Sequence, residues 1–225
     1  MKIKVNLGSQ LIIFHMPKKV ISDPVPEVDY ADEYDDLARK AESHAAEIIF
    51  GMVFEYIHPE QTLLDIAIGT GLSSKLFFKA GMDIYGFDNS PEMLNVCKKK
   101  NIAVDLKLFD LNEGSFPYSE NQFDHVISVG VFHFFQDLDG FFRETRRIIK
   151  PGGTFSFTVI VSHHGISHEF NKEYQIDVYG HDQQYLEGLI KKYNFQLLKR
   201  IRFLSFKDIT KTERICFEAY VLGAE

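Results

Sequence analysis

A short run of acidic and small residues follows an apolar stretch in the first half of the chain. Leu63 and Leu64 precede Asp65, and Gly69 and Gly71 lie a few positions further on. An apolar strand that turns through glycines into a helix lets bare backbone approach a nucleotide-like ligand closely. The chemistry that this spacing predicts is the binding of a cofactor.

Two further acids lie at the carboxyl ends of the next two predicted strands. Asp88 ends predicted strand 83–88, and Asp110 follows predicted strand 104–109. In an open α/β sheet, ligands bind outside the carboxyl ends of the strands, near the point where the strand order reverses. We therefore expect these two acids and Asp65 to line one crevice. A carboxylate after a strand also often caps the following helix or turn, and that alternative stays open for each of them.

Composition and charge narrow the classes of ligand. The chain has 225 residues, of which 45% are apolar and 25% are charged, and its formal net charge is −7. This negative charge opposes a broad attraction to nucleic acid or to anionic lipid. No apolar run is long enough to span a bilayer. A small-molecule substrate fits better, with no nucleic-acid partner and no membrane span, whereas the oligomeric state stays open.

The cysteines and the N-terminal residues indicate a compartment. Cys97 and Cys216 lie far apart, which favours reduced thiols over a disulfide framework. The apolar run 11–14 is too short for a secretory signal, and no small-residue cleavage site follows it. We therefore expect a cytoplasmic protein.

The order of predicted elements indicates the fold class. From residue 62 onward, strands and helices alternate with short connections, a pattern typical of a parallel sheet covered on both faces. Ser90 followed by Pro91 is a strong start signal for one of these helices. Two β-rich runs, 196–206 and 214–222, have no helix between them and therefore predict an antiparallel hairpin at the edge of the sheet. The prediction is an α/β, doubly wound, mostly parallel seven-stranded sheet with an antiparallel last strand.

The domain organisation is expected to be simple. Residues 1–32 contain three prolines and several acids, which predicts an irregular leader. Residues 33–225 form a single domain in this prediction, with a covering helix over 33–57 and a helix over 71–80. Residues 162–180 show no period and are interpreted as a lid.

Histidines provide two weaker signals. His163, His164 and His168 lie within the predicted lid, but Gly165 interrupts them and no partner acid is evident, so we expect no metal site. His133 is a candidate general base for an acceptor hydroxyl, although a histidine at the start of an aromatic-rich segment is more often a packed or capping residue. No catalytic residue is assigned.

The chain resembles the class I S-adenosylmethionine-dependent methyltransferases, particularly the small-molecule group near the ubiquinone and menaquinone biosynthesis enzymes. The resemblance covers roughly residues 60–160 and is carried by four segments that match in order and spacing. They are the turn 65–71, the block 86–94, Phe109-Asp110, and the segment from Phe123-Asp124 to Lys150-Pro151-Gly152-Gly153. It implies a Rossmann-like methyltransferase fold, S-adenosylmethionine as cofactor and S-adenosylhomocysteine as product.

The resemblance also implies roles for individual residues. It assigns backbone contacts with the methionyl part to Ala67 and Gly69, the two ribose hydroxyls to Asp88, and the adenine amino group to Asp110. The other implied cofactor contacts are Asp65, Asn89, Met93, Leu111, Val129 and Gly130. Many members have glycine at the position of Ala67. Tyr30, Tyr34 and Arg39 precede the sheet, in the region where the family often covers the methionine end of the cofactor, although a surface position is the simpler interpretation for these three.

The function implied is therefore in-line methyl transfer to a small acceptor that the sequence does not identify. Such a transfer needs no nucleophilic side chain, because the sulfonium methyl group is already electrophilic and positioning provides much of the acceleration. Two alternatives stay open. The glycine turn and Asp88 also fit an NAD(P)-dependent oxidoreductase, and the absence of an assigned base fits a non-catalytic cofactor-binding subunit.

Overall fold

The computed structural model describes residues 5–7, 10–12, 30–171, 176–206 and 210–225. The helices are α1 (Tyr30–Lys40), α2 (Ala45–Val53), α3 (Lys75–Lys79), α4 (Pro91–Lys100), α5 (Asp139–Ile148) and α6 (Gln183–Lys192). The strands are β1 (Val5–Leu7), β2 (Gln10–Ile12), β3 (Thr62–Ile66), β4 (Asp83–Asp88), β5 (Asp105–Leu108), β6 (Phe123–Ser128), β7 (Ile149–Val161), β8 (Ser167–Asn171), β9 (Ile176–His181), β10 (Phe195–Phe206) and β11 (Arg214–Ala224). Three 3₁₀ turns cover Phe54–Tyr56, Leu111–Glu113 and Phe132–Phe134.

The main sheet has nine strands among the described residues: seven follow the order β5-β4-β3-β6-β7-β11-β10, and β9 pairs with β7 and with β8 off this path. The pairs β3–β4, β4–β5, β3–β6 and β6–β7 are parallel, whereas β11 runs antiparallel to both β7 and β10. From β3 the chain adds β4 and then β5 on one side. It then crosses back, and β6 and β7 extend the sheet on the other side of β3. The strand order therefore reverses between β3 and β6, which is where such sheets bind ligands.

Both faces of this sheet are buried. Leu63 and Leu64 are neighbours on β3, point to opposite faces and are both fully buried. Leu64 belongs to an aromatic-rich cluster with Phe142 and Phe157, and Leu63 belongs to a second cluster with Ile49 and Phe77. This burial on both sides explains the continuous apolar character of the central strands. The prediction of a doubly wound, mostly parallel sheet with an antiparallel last strand is confirmed.

The start of α4 agrees with its sequence signals. The Ser90 hydroxyl accepts a hydrogen bond from the Met93 amide at 3.2 Å, and Pro91 occupies the first helical position. The terminal hairpin is also confirmed, because β10 and β11 pair antiparallel from Phe195↔Ala224 to Phe206↔Arg214.

The expected covering helix over 33–57 is wrong in one respect, because the structure divides it into α1 and α2. The Ala41 and Ser43 amides bond back to the Leu37 and Ala38 carbonyls, and Glu42 adopts a left-handed φ of 52°. These bonds end α1 as a typical helix terminus. The apolar stripe continues on both sides of the break, so the period alone did not reveal it.

Two other boundaries differ from expectation. The helix predicted over 71–80 is limited to α3, because 71–74 form turns and the Ser74 hydroxyl bonds to the Asp65 side chain instead of capping the helix. The 162–180 segment, in which the sequence shows no clear period, contains β8 and most of β9, which pair antiparallel, and β9 adds to β7 at Ile160↔Gly180. Cross-strand pairing of this kind depends on distant partners and leaves no local period.

The predicted leader over 1–32 lies mostly outside the described residues. Within it, β1 and β2 pair antiparallel, and α1 already begins at Tyr30. None of the helices in the described part of the chain has the length and apolar character that crossing a bilayer would need.

Candidate functional site

Two backbone amides orient the carboxylate of Asp88 at the carboxyl end of β4. Its Oδ2 accepts a hydrogen bond from the Gly69 amide at 2.9 Å, and its Oδ1 accepts one from the Ser90 amide at 2.9 Å. A carboxylate offers about four lone-pair positions, so two bonds leave capacity for two further donors. Burial is the main influence on this group and raises its pKa, while the amides of Ser90, Gly69 and Asn89 act in the opposite direction.

The turn after β3 leaves open space beside this carboxylate. Gly69 has φ of 55°, and Gly130 after β6 has φ of 75°. A Cβ atom added to either glycine would meet no atom within 4 Å, so the backbone of both glycines borders open space at this edge of the sheet. We call this open space the cradle. Ala67 also lies in the left-handed region, with φ of 58°. For a residue with a Cβ this conformation costs about 1–2 kcal/mol.

Asp65 lies deeper in the same region and is only 2% exposed. The Ser74 hydroxyl donates a hydrogen bond to its Oδ2 at 2.7 Å. Burial raises the pKa of Asp65 to about 7, with a further contribution from the negative charge of Asp88, and the Ser74 hydrogen bond partly offsets both. Asp65 pairs with Gly86 of the neighbouring parallel strand, two residues before Asp88, so the two acids lie toward the same end of adjacent strands.

Asp110 caps the 3₁₀ turn Leu111–Glu113. Its Oδ1 accepts hydrogen bonds from the Asn112 amide at 2.9 Å and from the Asn112 side chain at 2.7 Å. The Phe109 amide bonds to the Asp88 carbonyl at 2.9 Å, which holds Asp110 beside the end of β4. The capping interpretation is therefore correct for Oδ1. Among the described residues, Oδ2 has no hydrogen-bond partner.

The remaining predicted contacts follow from the same strand ends. Asn89 is half-buried directly after Asp88, and Met93 is half-buried in the first turn of α4. Val129 extends β6, whose Ile127 pairs with Asp65, so Val129 lies at the register level of Ala67. The structure thus brings the ends of β3, β4 and β6 to one margin of the sheet. The cofactor-binding role of each residue stays a prediction.

Helix α1 lies across the glycine turn. One oxygen of Asp35 accepts a hydrogen bond from the Thr70 hydroxyl at 2.6 Å, and the other pairs with the Lys100 ammonium at 2.5 Å. The side chain of Asp35 therefore connects α1 to the turn and to the end of α4. Neither Asp35 nor Thr70 was singled out from the sequence, because their role depends on a contact between distant segments.

Tyr34 is closer to the candidate site than the sequence suggested. Burial raises the pKa of Tyr34 to about 12, and the negative charges of Asp35, Asp88 and Asp65 add to the increase. The side chain is half-buried and lines the same cavity as Gly130, so it is not the simple surface residue that the sequence suggested. Arg39 is exposed and pairs with Asp36. The side chain of Tyr30 lies outside the described residues.

A cavity of about 630 Å³ adjoins this margin, and we call it the hairpin cavity. It is lined by Tyr34, Gly130, His133 and Thr158, by the hairpin β8–β9 and by the ends of β10 and β11. Apolar side chains cover much of the wall, among them Leu37, Ile160, Val178, Phe203 and Phe217. Its volume falls within the usual range of small-molecule sites.

The three histidines of the predicted lid contact neighbouring side chains or solvent. His168 pairs with Asp177 at 2.6 Å and stacks on Tyr179, while His163 and His164 are exposed. Across the described ranges, no group of three or more His, Cys, Asp or Glu side chains has a geometry for holding a metal ion.

Similar proteins share the central part of this chain. Residues 64–157 match the family described as "Methyltransferase domain". Demethylmenaquinone methyltransferase of Tropheryma whipplei is 28% identical over 93 residues, which cover 41% of this chain and 39% of that protein. Malonyl-[acyl-carrier protein] O-methyltransferase of Serratia marcescens is 26% identical over 180 residues, which cover 77% of this chain and 68% of that protein. The chain thus spans well under half the length of the first of these relatives.

Solved structures show the same fold. A 1,6-didemethyltoxoflavin-N1-methyltransferase from Burkholderia thailandensis, solved with 1,6-didemethyltoxoflavin and S-adenosylhomocysteine bound, matches with a TM-score of 0.63 and 16% identity. The match covers 91% of this chain and 93% of that protein. At this identity the likeness establishes the architecture alone.

Proposed function

We propose that this chain, whose residues 64–157 match the methyltransferase domain family, is a class I S-adenosylmethionine-dependent methyltransferase that transfers a methyl group from S-adenosylmethionine to a small-molecule acceptor. When bound, this cofactor supplies an electrophilic methyl group on a positively charged sulfur. The chain's own contribution is to hold donor and acceptor in line and to exclude water, and such positioning alone provides much of the rate acceleration.

The residues at the sheet margin fit the cofactor. The two amide bonds of Asp88 fix its carboxylate and leave lone pairs for two ribose hydroxyls. The cradle above Gly69 and Gly130 admits ligand atoms close to the backbone. The second oxygen of Asp110 provides an acceptor for an adenine amino group. Asn89, Met93, Leu111 and Val129 complete the proposed set, and Ala67 contributes its backbone.

The single observation that carries the proposal is the oriented Asp88 carboxylate beside an open glycine turn. The family match does not favour the nicotinamide-dependent alternative. A non-catalytic cofactor-binding subunit would show tight cofactor binding without turnover on any acceptor.

We also propose that the hairpin β8–β9 acts as the lid over the acceptor. The free thiols of Cys97 and Cys216 fit a reducing compartment such as the cytoplasm.

Replacing Asp88 tests the proposal at the cofactor. Asp88→Asn removes the charge that would accept the ribose hydroxyls, so we expect S-adenosylhomocysteine to bind about 2–4 kcal/mol more weakly, as is typical for charge-assisted bonds. This corresponds to a dissociation constant raised about 30- to 1,000-fold in isothermal titration calorimetry.

The matched control is Asp83→Asn, at the exposed opposite end of the same strand, which should leave the dissociation constant unchanged. A titration of the wild-type chain with NAD(H) should give no signal. Equal affinities for the Asp88 and Asp83 variants, or binding of NAD(H) without S-adenosylhomocysteine, would contradict the proposal.

A further inference from the structure

Strand β7 changes its neighbour close to the candidate site. Its pairing with β6 ends at Ser128↔Phe157, and its pairing with β9 begins at Ile160↔Gly180. Strand β11 pairs with the opposite edge of β7 along this stretch, so β6 and β9 lie on the same side of β7. The chain that leaves β6 therefore has to turn out of the sheet to make room for β9.

A side chain of β7 holds the chain at this turn. In a parallel ladder, backbone amides bond to carbonyl groups of the neighbouring strand. The Gly130 amide instead donates a hydrogen bond to the Thr158 hydroxyl at 2.9 Å. Thr158 is fully buried, and within the described part of the chain its hydroxyl makes no other hydrogen bond. The hydroxyl thus replaces a ladder bond where the two strands part.

Gly130 depends on this bond because its own backbone is permissive. It adopts a left-handed φ of 75°, and it has no side chain that could restrict φ or pack against a neighbour. Gly130 is also exposed, so its amide can bond to water if the chain moves. The Thr158 hydroxyl therefore fixes a position that the glycine does not select by itself.

The position of Gly130 matters because the residue lies where the two parts of the candidate site meet. Its backbone borders the cradle, and it lines the hairpin cavity together with Thr158 and Tyr34. It is also one of the proposed cofactor contacts. In a reaction that depends on positioning, a displacement of about 1 Å can lower the rate about 10²-fold.

We propose that the Thr158 hydroxyl is a positioning group for methyl transfer, which fixes the Gly130 backbone against the cofactor from a buried place on β7. This inference rests on the proposed function. Thr158 acts through Gly130 and not by contact with the reacting atoms. Loss of the hydroxyl should therefore disturb the placement of the cofactor more than the stability of the fold, because the freed amide can be hydrated.

The same strand provides a matched residue for comparison. Thr154 lies four residues earlier on β7, faces the same side of the sheet and is 3% exposed. Its hydroxyl lies 2.7 Å from the Nδ1 of His125, toward the start of β6. Valine nearly matches the shape of threonine but has a methyl group in place of the hydroxyl. Thr158→Val and Thr154→Val each remove one buried hydrogen bond, and only the first of them frees Gly130.

The first experiment tests the hydrogen bond without the cofactor. Val129-Gly130 is the only Val-Gly pair in the sequence, so labelling with carbonyl-¹³C valine and ¹⁵N glycine selects the amide signal of Gly130 in the NMR spectrum. Hydrogen exchange of this amide should be about three- to tenfold faster in Thr158→Val than in the wild type, as expected for the loss of one hydrogen bond. Thr158→Ser, which keeps the hydroxyl, and Thr154→Val should exchange as the wild type does.

The second experiment compares affinity with stability. In isothermal titration calorimetry, Thr158→Val should bind S-adenosylhomocysteine about three- to tenfold more weakly than the wild type. Thr158→Ser should restore the affinity, and Thr154→Val should leave it unchanged. Urea unfolding without ligand should show that Thr158→Val is no less stable than Thr154→Val. A merely structural role would instead change stability and leave the affinity alone.

The third experiment observes the reacting group with methyl-¹³C S-adenosylmethionine. The chemical shift of the bound methyl carbon depends on the atoms around it. This signal should differ between the complexes of the wild type and Thr158→Val. In the complexes of Thr158→Ser and Thr154→Val it should coincide with that of the wild type.

Three results would overturn the inference alone. They are unchanged exchange of the Gly130 amide in Thr158→Val, equal affinities and methyl signals for Thr158→Val and Thr154→Val, and failure of Thr158→Ser to restore the behaviour of the wild type. Failure of the proposed function is distinguishable, because the wild-type chain would then bind neither S-adenosylhomocysteine nor S-adenosylmethionine. That result would overturn the proposed function and this inference with it.

Discussion

Asp65 shows how the burial of one carboxyl group can make the stability of the fold depend on pH. Burial raises its folded-state pKa to about 7, well above the ordinary value for aspartate. Between about pH 4 and pH 7 the folded state therefore keeps a proton that the unfolded state has released. Over this range the free energy of unfolding falls as the pH rises. The protonated form is the one that the fold accommodates best.

Replacing Asp65 tests this dependence. Asp65→Asn cannot ionise but still offers an oxygen to the Ser74 hydroxyl, so its free energy of unfolding without cofactor should exceed that of the wild type by up to a few kcal/mol at pH 8. At pH 4.5 the two proteins should differ much less. Urea unfolding at both pH values measures the difference, and a gap that is independent of pH would refute the assigned shift.

At the scale of elements, the attachment of α1 depends on Asp35. Its two contacts, with Thr70 and Lys100, are partly buried and connect α1 with the glycine turn. Asp35→Ala should therefore weaken the packing of α1 by about 1 kcal/mol. Amide hydrogen exchange should become faster across residues 30–40, and S-adenosylhomocysteine should bind more weakly.

The neighbouring Asp36 provides the matched control for this substitution. Asp36 is exposed and pairs with Arg39 within the same helix, so Asp36→Ala should leave the connection to the turn intact. If both variants exchange at the same rate in α1, the contacts of Asp35 do not fix the helix.

The sequence revealed those elements whose signals are local. The Ser90-Pro91 start of α4 and the acids at the carboxyl ends of β3, β4 and β5 could be located, because capping signals and strand ends depend on only a few neighbouring residues. The break between α1 and α2, the pairing of β8 with β9 and the partial burial of Tyr34 were missed. Each of these depends on contacts between residues far apart in the sequence, and neither hydrophobic period nor turn residues report such contacts.

At the scale of the whole molecule, cofactor binding should be visible as stability. A ligand that binds only the folded state at 100 times its dissociation constant raises the free energy of unfolding by about 2.7 kcal/mol. S-adenosylhomocysteine should therefore move the urea midpoint of the wild-type chain upward. The same concentration should have a much smaller effect on Asp88→Asn, and an equal shift in both proteins would place the ligand elsewhere.

The walls of the hairpin cavity come mainly from two stretches of chain that flank the central methyltransferase segment 64–157. Tyr34 to Ala45 lie before it, and Ile160 to Phe217 lie after it. The proposed donor contacts therefore lie within the central segment, whereas most of the cavity wall lies outside it, with Gly130, His133 and Phe134 as the exceptions. A relative that matches only the central segment can therefore differ from this chain in most of the cavity wall, so similarity over that segment does not by itself carry over a substrate.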